Sequence, residues 1–190
     1  MVSTITEVLT KQRPLYEGRH VTVEEYFSLP DDGFLYDMIE GVLHVSPSAD
    51  YHHGRQMGNI FSVVRAYLKR FPIADLTQET DISWPDGKDV LRPDLSIILN
   101  ENLPIVHRHI YGVPDIVVEV LSPGTSKRDL TVKADRYLRN RVKEYWIVDP
   151  KKRTLSIWYN ENENWEKSTA DCPESRVLPG LLLVPADIFD

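Results

Sequence analysis

"DIVVEVLSPGTSKRDLTVKADRYL", residues 115–138, runs from a strand pattern into a helix pattern and sets a charged group against the inner side of each. Ile116, Val118 and Val120 alternate with Asp115, Val117, Glu119 and Leu121, so Glu119 faces a layer that is otherwise apolar. Beyond the turn, with Thr125 or Ser126 as its N-cap, Leu130, Ala134, Tyr137 and Leu138 recur as the inner stripe of a helix. Lys133 stands about 60° from the centre of that stripe, on the flank that leans toward the sheet. "EYWIVDP", 144–150, reads as a short buried strand. A strand, helix, strand crossover of this length makes the two strands a parallel pair with a right-handed connection.

Working outward, "TVEE" at 22–25 is a capping box that opens a short helix, and "LYDMIEGVLHVSP" is extended chain broken near Gly41. From about Tyr51 to Arg70, Met57, Ile60, Phe61, Val64 and Leu68 recur at helical spacing; His53 projects into that stripe and His52 away from it. "LTQETDISW" (76–84) and "VLRPDLSIIL" (90–99) are strands, followed by a long connection containing "HRH" (107–109). "TLSIWYN" and "NWEKSTA" form a peripheral hairpin around a polar turn. The fold class is a mixed-sheet α/β domain with helices on its faces, an α-β-β-β-α-β core and a C-terminal hairpin.

With 190 residues and 42% hydrophobic content the chain is expected to form one domain over 1–190, partly disordered over 1–20. No signal-like start and no apolar window of the roughly 18 residues a membrane span needs is present, which predicts a soluble, cytoplasmic protein. A single cysteine, Cys172, has no zinc-like partner spacing. The net charge of -7 argues against a protein that coats nucleic acid. Between Ser126 and Arg153, however, ten Lys/Arg stand against four acids, a local +6 that leaves -13 for the rest of the chain. That is compatible with contact to a polyanion and equally with a solvated helix face.

Asp94, following Pro93, shares a strand face with Ser96 and Ile98, and antiparallel pairing brings its carboxylate beside Glu119. Two carboxylates so close in a partly dry site repel unless a cation joins them, and oxygen-only ligands favour Mg²⁺ or Mn²⁺ over zinc. Glu40 and Asp37 lie near the glycine break; of the two, Glu40 is the expected further metal ligand. Lys133 suits a group that orients the attacking water or stabilises charge on a phosphate oxygen, against the alternative of a stem lying along the core with its amine in water. His53 is a secondary catalytic candidate whose bland reading is a hydrogen-bonded core histidine. Dipole compensation in the first turn accounts for Asp129, and "HRH" reads as loop.

At "RPDLSII" and "VVEVL" the sequence resembles the PD-(D/E)XK nuclease superfamily, in which a proline-aspartate pair and a downstream acid-x-lysine bind Mg²⁺. The lysine position of that pattern, two after Glu119, is Leu121. With "YDMIEG", "VVEVLSPGTSKRDLTVKADRYL" and "VKEYWIVDP", the resemblance narrows to a family of restriction-endonuclease-like proteins first recorded only as a domain of unknown function, in which the lysine has moved to the helix, here Lys133. It spans roughly Thr22 to Trp158, with Arg141 where the family carries glycine and "HH" where it carries glutamate-histidine. The resemblance implies a restriction-endonuclease-like fold and a Mg²⁺-dependent endonuclease. Asp94 and Glu119 would be its metal ligands, Lys133 its catalytic lysine and a nucleic acid, DNA, its substrate. The alternative is an inactive member that only binds nucleic acid or protein. The apolar tail "LPGLLLVPADIF" and the strand "TLSIWY" suggest a homodimer.

Overall fold

The computed structural model describes residues 13–46, 50–122, 124 and 126–190. The expected disorder of residues 1–12 and the capping role of Thr125 lie outside the described residues. Residues 13–20 are held down, because Gly18 N and Arg19 O bond Leu43 O and Leu43 N at 2.8 and 2.9 Å.

Helix α1 (Val23–Phe27) starts at the expected capping box: Thr22 accepts from Glu25 N, and Glu25 accepts from Thr22 N at 2.8 Å. Strands β1 (Leu35–Ile39) and β2 (Val42–Ser46) form a hairpin, turned by Glu40 and Gly41 at φ 51° and 77°, the paired left-handed geometry that suits the twist of two strands. Helix α2 (Tyr51–Arg70) is capped by Asp50, which accepts from His53 N. β3 (Ala74–Gln78), β4 (Ile82–Ser83), β5 (Val90–Leu91) and β6 (Leu95–Leu99) follow. A 3₁₀ turn (Asn100–Ile105), β7 (Ile110–Tyr111) and β8 (Ile116–Val120) come next. The second long helical stretch consists of α3 (Ser126–Arg128), a π-helical turn (Asp129–Lys133) and α4 (Ala134–Arg139). β9 (Glu144–Asp149), β10 (Thr154–Glu161), β11 (Asn164–Lys167) and α5 (Pro185–Phe189) complete the chain.

Two sheets form, in orders β11-β10-β9-β8-β6-β3 and β2-β1-β5-β4-β7. The crossover pair β8/β9 is parallel, as the sequence predicts, and β8/β6 is antiparallel. The second sheet arises because each of two stretches read as one strand divides. "LTQETDISW" turns at Glu79, whose φ is 47°, and "VLRPDLSIIL" breaks at Pro93, which has no N–H to give a ladder. The front half of one and the back half of the other stay in the large sheet, and the other halves join the hairpin. On one face of the large sheet, α2 and the C-terminal tail bury Ile60, Val64, Leu68, Leu181, Ile188 and Phe189 against Leu95, Ile97, Val118 and Trp146. On the other face, α4 and the small sheet pack Ala134, Tyr137, Ile82 and Leu91 against Val117, Tyr145 and Ile147.

Three expectations change. The C-terminal hairpin is not peripheral: β10 pairs with β9 along its length and buries Ile157, Trp158 and Tyr159. The tail and the "TLSIWY" strand are internal, one folded over α2 and the other flanked by β9 and β11, so both grounds for a homodimer disappear. Leu130 is exposed rather than inner, because the wide π turn shifts the helix face and carries Asp129 and Lys133 inward in its place. Arg141, where the family carries glycine, holds a left-handed φ of 64°. No helix among the described residues is long and apolar enough to cross a membrane.

The tail is held in place by a buried acid. Glu144 accepts from Trp146 Nε1, Ser175 Oγ, Arg176 N and Val177 N at 2.6 to 2.9 Å. Glu144→Gln keeps the shape but turns two N–H donors toward donors, so unfolding in urea is expected to show a loss of about 2–3 kcal/mol.

Candidate active site at the end of the large sheet

Continuing the register of Leu95 with Val118 by one residue sets Asp94 opposite Glu119. Asp94 stands just past the proline break, where the sheet ends and a carboxylate can reach both layers. Its Oδ2 accepts from Val120 N at 2.5 Å, and its Oδ1 lies 3.2 Å from His53 Nε2 on the first turn of α2. Glu119, in the middle of β8, points into the layer under α4. There its Oε1 accepts from Lys133 Nζ at 3.0 Å and from Tyr137 OH at 2.8 Å.

Lys133 Nζ also lies 3.7 Å from Asp37 Oδ2 and 3.6 Å from Asp129 Oδ1. Asp37 comes from β1, where it also accepts from Arg92 N and Ser46 Oγ, and Arg128 approaches it at 3.7 Å. Lys133 and Glu119 are each 4% exposed and Asp37 is 1% exposed, so Lys133 does not snorkel to water.

Burial alone would strip the proton from Lys133. The carboxylates of Asp37, Glu119 and Asp129 outweigh burial and keep the ammonium charged. Burial pushes Glu119 well above the usual carboxylate range; Lys133 offsets part of this, while Asp129 and Asp94 add to it. For His53 burial again works against the charged form, and the hydrogen bond and charge of Asp94 overcome it, so its pKa is raised. Asp37, Glu119 and Asp129 thus share the ammonium of Lys133, Arg128 approaches Asp37 alone, and Asp94 on the adjoining strand end is paired with His53. Hard oxygen donors with negative charge in excess suit a divalent cation such as Mg²⁺ or Mn²⁺. Among the described residues no three His, Cys, Asp or Glu side chains are gathered closely enough to hold a metal by themselves. Water or substrate oxygens would have to fill most of a coordination shell.

The structure therefore brings Asp94, Glu119, Lys133 and His53 to one place, and it does not bring Glu40 there. Glu40 sits on the exposed side of the hairpin turn, bonded to Arg136, because the turn directs it away from the sheet. The acid that β1 sends inward is Asp37. Its signal in the sequence was the one that marks Glu119, an acid inside the apolar run "LYDMI". Tyr137 was legible only as a core residue. His52 points outward, and His109 stacks on Phe27 at 4.0 Å and lies 3.8 Å from Asp81, an acid outside this group. Beside His53 opens a cleft of about 650 Å³, lined also by His52, Leu121, Ser126, Pro150 and Lys151. Leu121, at the superfamily's usual lysine position, is half-buried at this wall, so the ammonium reaches Glu119 from the helix instead.

No curated protein sequence matches the chain. A solved structure of a nuclease from Anabaena variabilis, itself described as putative, shares the fold with a TM-score of 0.74 at 21% identity, covering 89% of this chain and 97% of that one. The model of the Uma2 family, described as "Putative restriction endonuclease", matches residues 23–188. The chain therefore belongs to the Uma2 family, a restriction-endonuclease-like branch of the PD-(D/E)XK superfamily.

Proposed function

We propose that the protein is a metal-dependent endonuclease that hydrolyses phosphodiester bonds of DNA. The observation that carries this reading is the buried ammonium of Lys133 at 3.0 Å from Glu119, with Asp94 on the adjoining strand end. A buried lysine among surplus carboxylates is a poor device for stability, since well-packed apolar residues would serve as well or better. It is a good device for holding positive charge where negative charge develops.

Asp94 and Glu119 would hold the cation, which when bound supplies a Lewis acid for the phosphate and a more acidic water. Val120 N and His53 fix the two oxygens of Asp94, so that carboxylate is oriented before substrate arrives. Tyr137 fixes Glu119 in the same way. Lys133, kept protonated by Asp37 and its neighbours, would stabilise the charge on the scissile phosphate or orient the attacking water. Cleavage of plasmid and of a single-stranded DNA in Mg²⁺, Mn²⁺ and EDTA tests the reading; DNA bound but left intact in every arm would favour the binding-module alternative.

Two expectations follow from the ligand and lysine roles. In calorimetry, Asp94→Asn and Glu119→Gln should each weaken Mn²⁺ binding, while Glu40→Gln should leave it unchanged; equal binding by all four proteins would reject the assignment. Lys133→Met should cost about 10²-fold or more in nicking rate. Because it strands buried acids, it should also cost about 3–5 kcal/mol of stability, so that rate must be read below the variant's melting point. Lys133→Met combined with Asp129→Asn, which removes one of the stranded acids without touching an assigned ligand, should recover part of the stability and none of the nicking. That separates the chemical role of the ammonium from its structural one.

A further inference from the structure

The basic run between Ser126 and Arg153 suggests a surface for duplex backbone, but its charges are already committed. Lys133, Arg136, Arg139, Arg141, Lys143, Lys152 and Arg153 each lie within 4 Å of a carboxylate, as does Arg128. Of the ten cations, Lys127 and Lys151 have no ion pair with a described residue. A duplex held by its phosphates needs many free cations, and on a chain of net charge -7 two do not suffice.

The cleft beside His53 offers a different chemistry. Leu121 and Pro150 give it apolar walls, and Lys151 stands at its rim. Its two acids are engaged, Asp50 as the cap of α2 and Asp149 with Lys152. At its edge the first turn of α2 presents Tyr51, 78% exposed, set edge to face against His52, which lines the cleft, with ring centroids 5.5 Å apart and planes at 78°. A tyrosine so exposed contributes little to folding. Flat rings beside one free cation are the equipment of a groove that stacks unpaired bases and tracks a single backbone. In a duplex those base faces are already stacked on one another and out of reach.

We infer that the substrate enters as an unpaired strand, with one base stacked on Tyr51, a neighbouring base against His52 and a flanking phosphate near Lys151. This rests on the nuclease reading and narrows its substrate. The test is fluorescence anisotropy on the full chain, with Ca²⁺ replacing Mg²⁺ so that DNA stays intact. The probes are a labelled single strand and the same sequence as a blunt duplex. The single strand should bind about tenfold tighter or more, with log K falling against log salt at a slope of about -1 to -2. The exposed double variant Tyr51→Ala, His52→Ala should lower single-strand affinity about tenfold, leaving duplex affinity and melting temperature unchanged. Duplex bound as tightly as the single strand, no binding of the single strand, or full affinity in the double variant would overturn the inference. Selective single-strand binding without cleavage in Mg²⁺ would instead overturn the nuclease reading and leave this one standing.

Discussion

A single ammonium group joins the three parts of this fold. Asp37 comes from the small sheet, Glu119 from the large sheet and Asp129 from the helical turn above them, and all three approach Lys133 Nζ within 4 Å. None of these groups is tenable alone in the interior: the acids would take up protons and the lysine would release one. Together they form a junction in which each charge is the condition for the others. The two sheets, the helix and the site are therefore coupled, since displacing the helix takes the one ammonium away from the buried acids of both sheets.

Much of this could be read from the chain, and what could not has physical causes. Alternation in "DIVVEVL" gave the strand and the inward Glu119, and the crossover length gave the parallel pair, because both depend on local periodicity. The division into two sheets depends on one backbone kink and one missing N–H, at Glu79 and Pro93, which a continuous apolar run conceals. Lys133 looked marginal because a regular helix leaves it on the flank. A single wide turn, invisible to a fixed period of 3.6, brings it to the centre. Glu40 and Asp37 compete within one short stretch, and strand direction rather than composition decides between them.

That wide turn is held from outside the helix. Tyr145 OH from β9 donates to Asp129 O, which also accepts from Ala134 N, at 3.1 Å, and Trp165 Nε1 from β11 donates to Ala134 O, one residue past the turn, at 3.0 Å. Both donors lie later in the sequence than the lysine they steady. During synthesis, a chain that has passed Lys133 already contains every acid and the ammonium, yet the hydroxyl and the indole that fix their alignment have still to emerge. The last strand of the large sheet, β11, thus closes over the helix that carries the lysine, and the alignment of the buried charges is completed by residues that follow them in the chain.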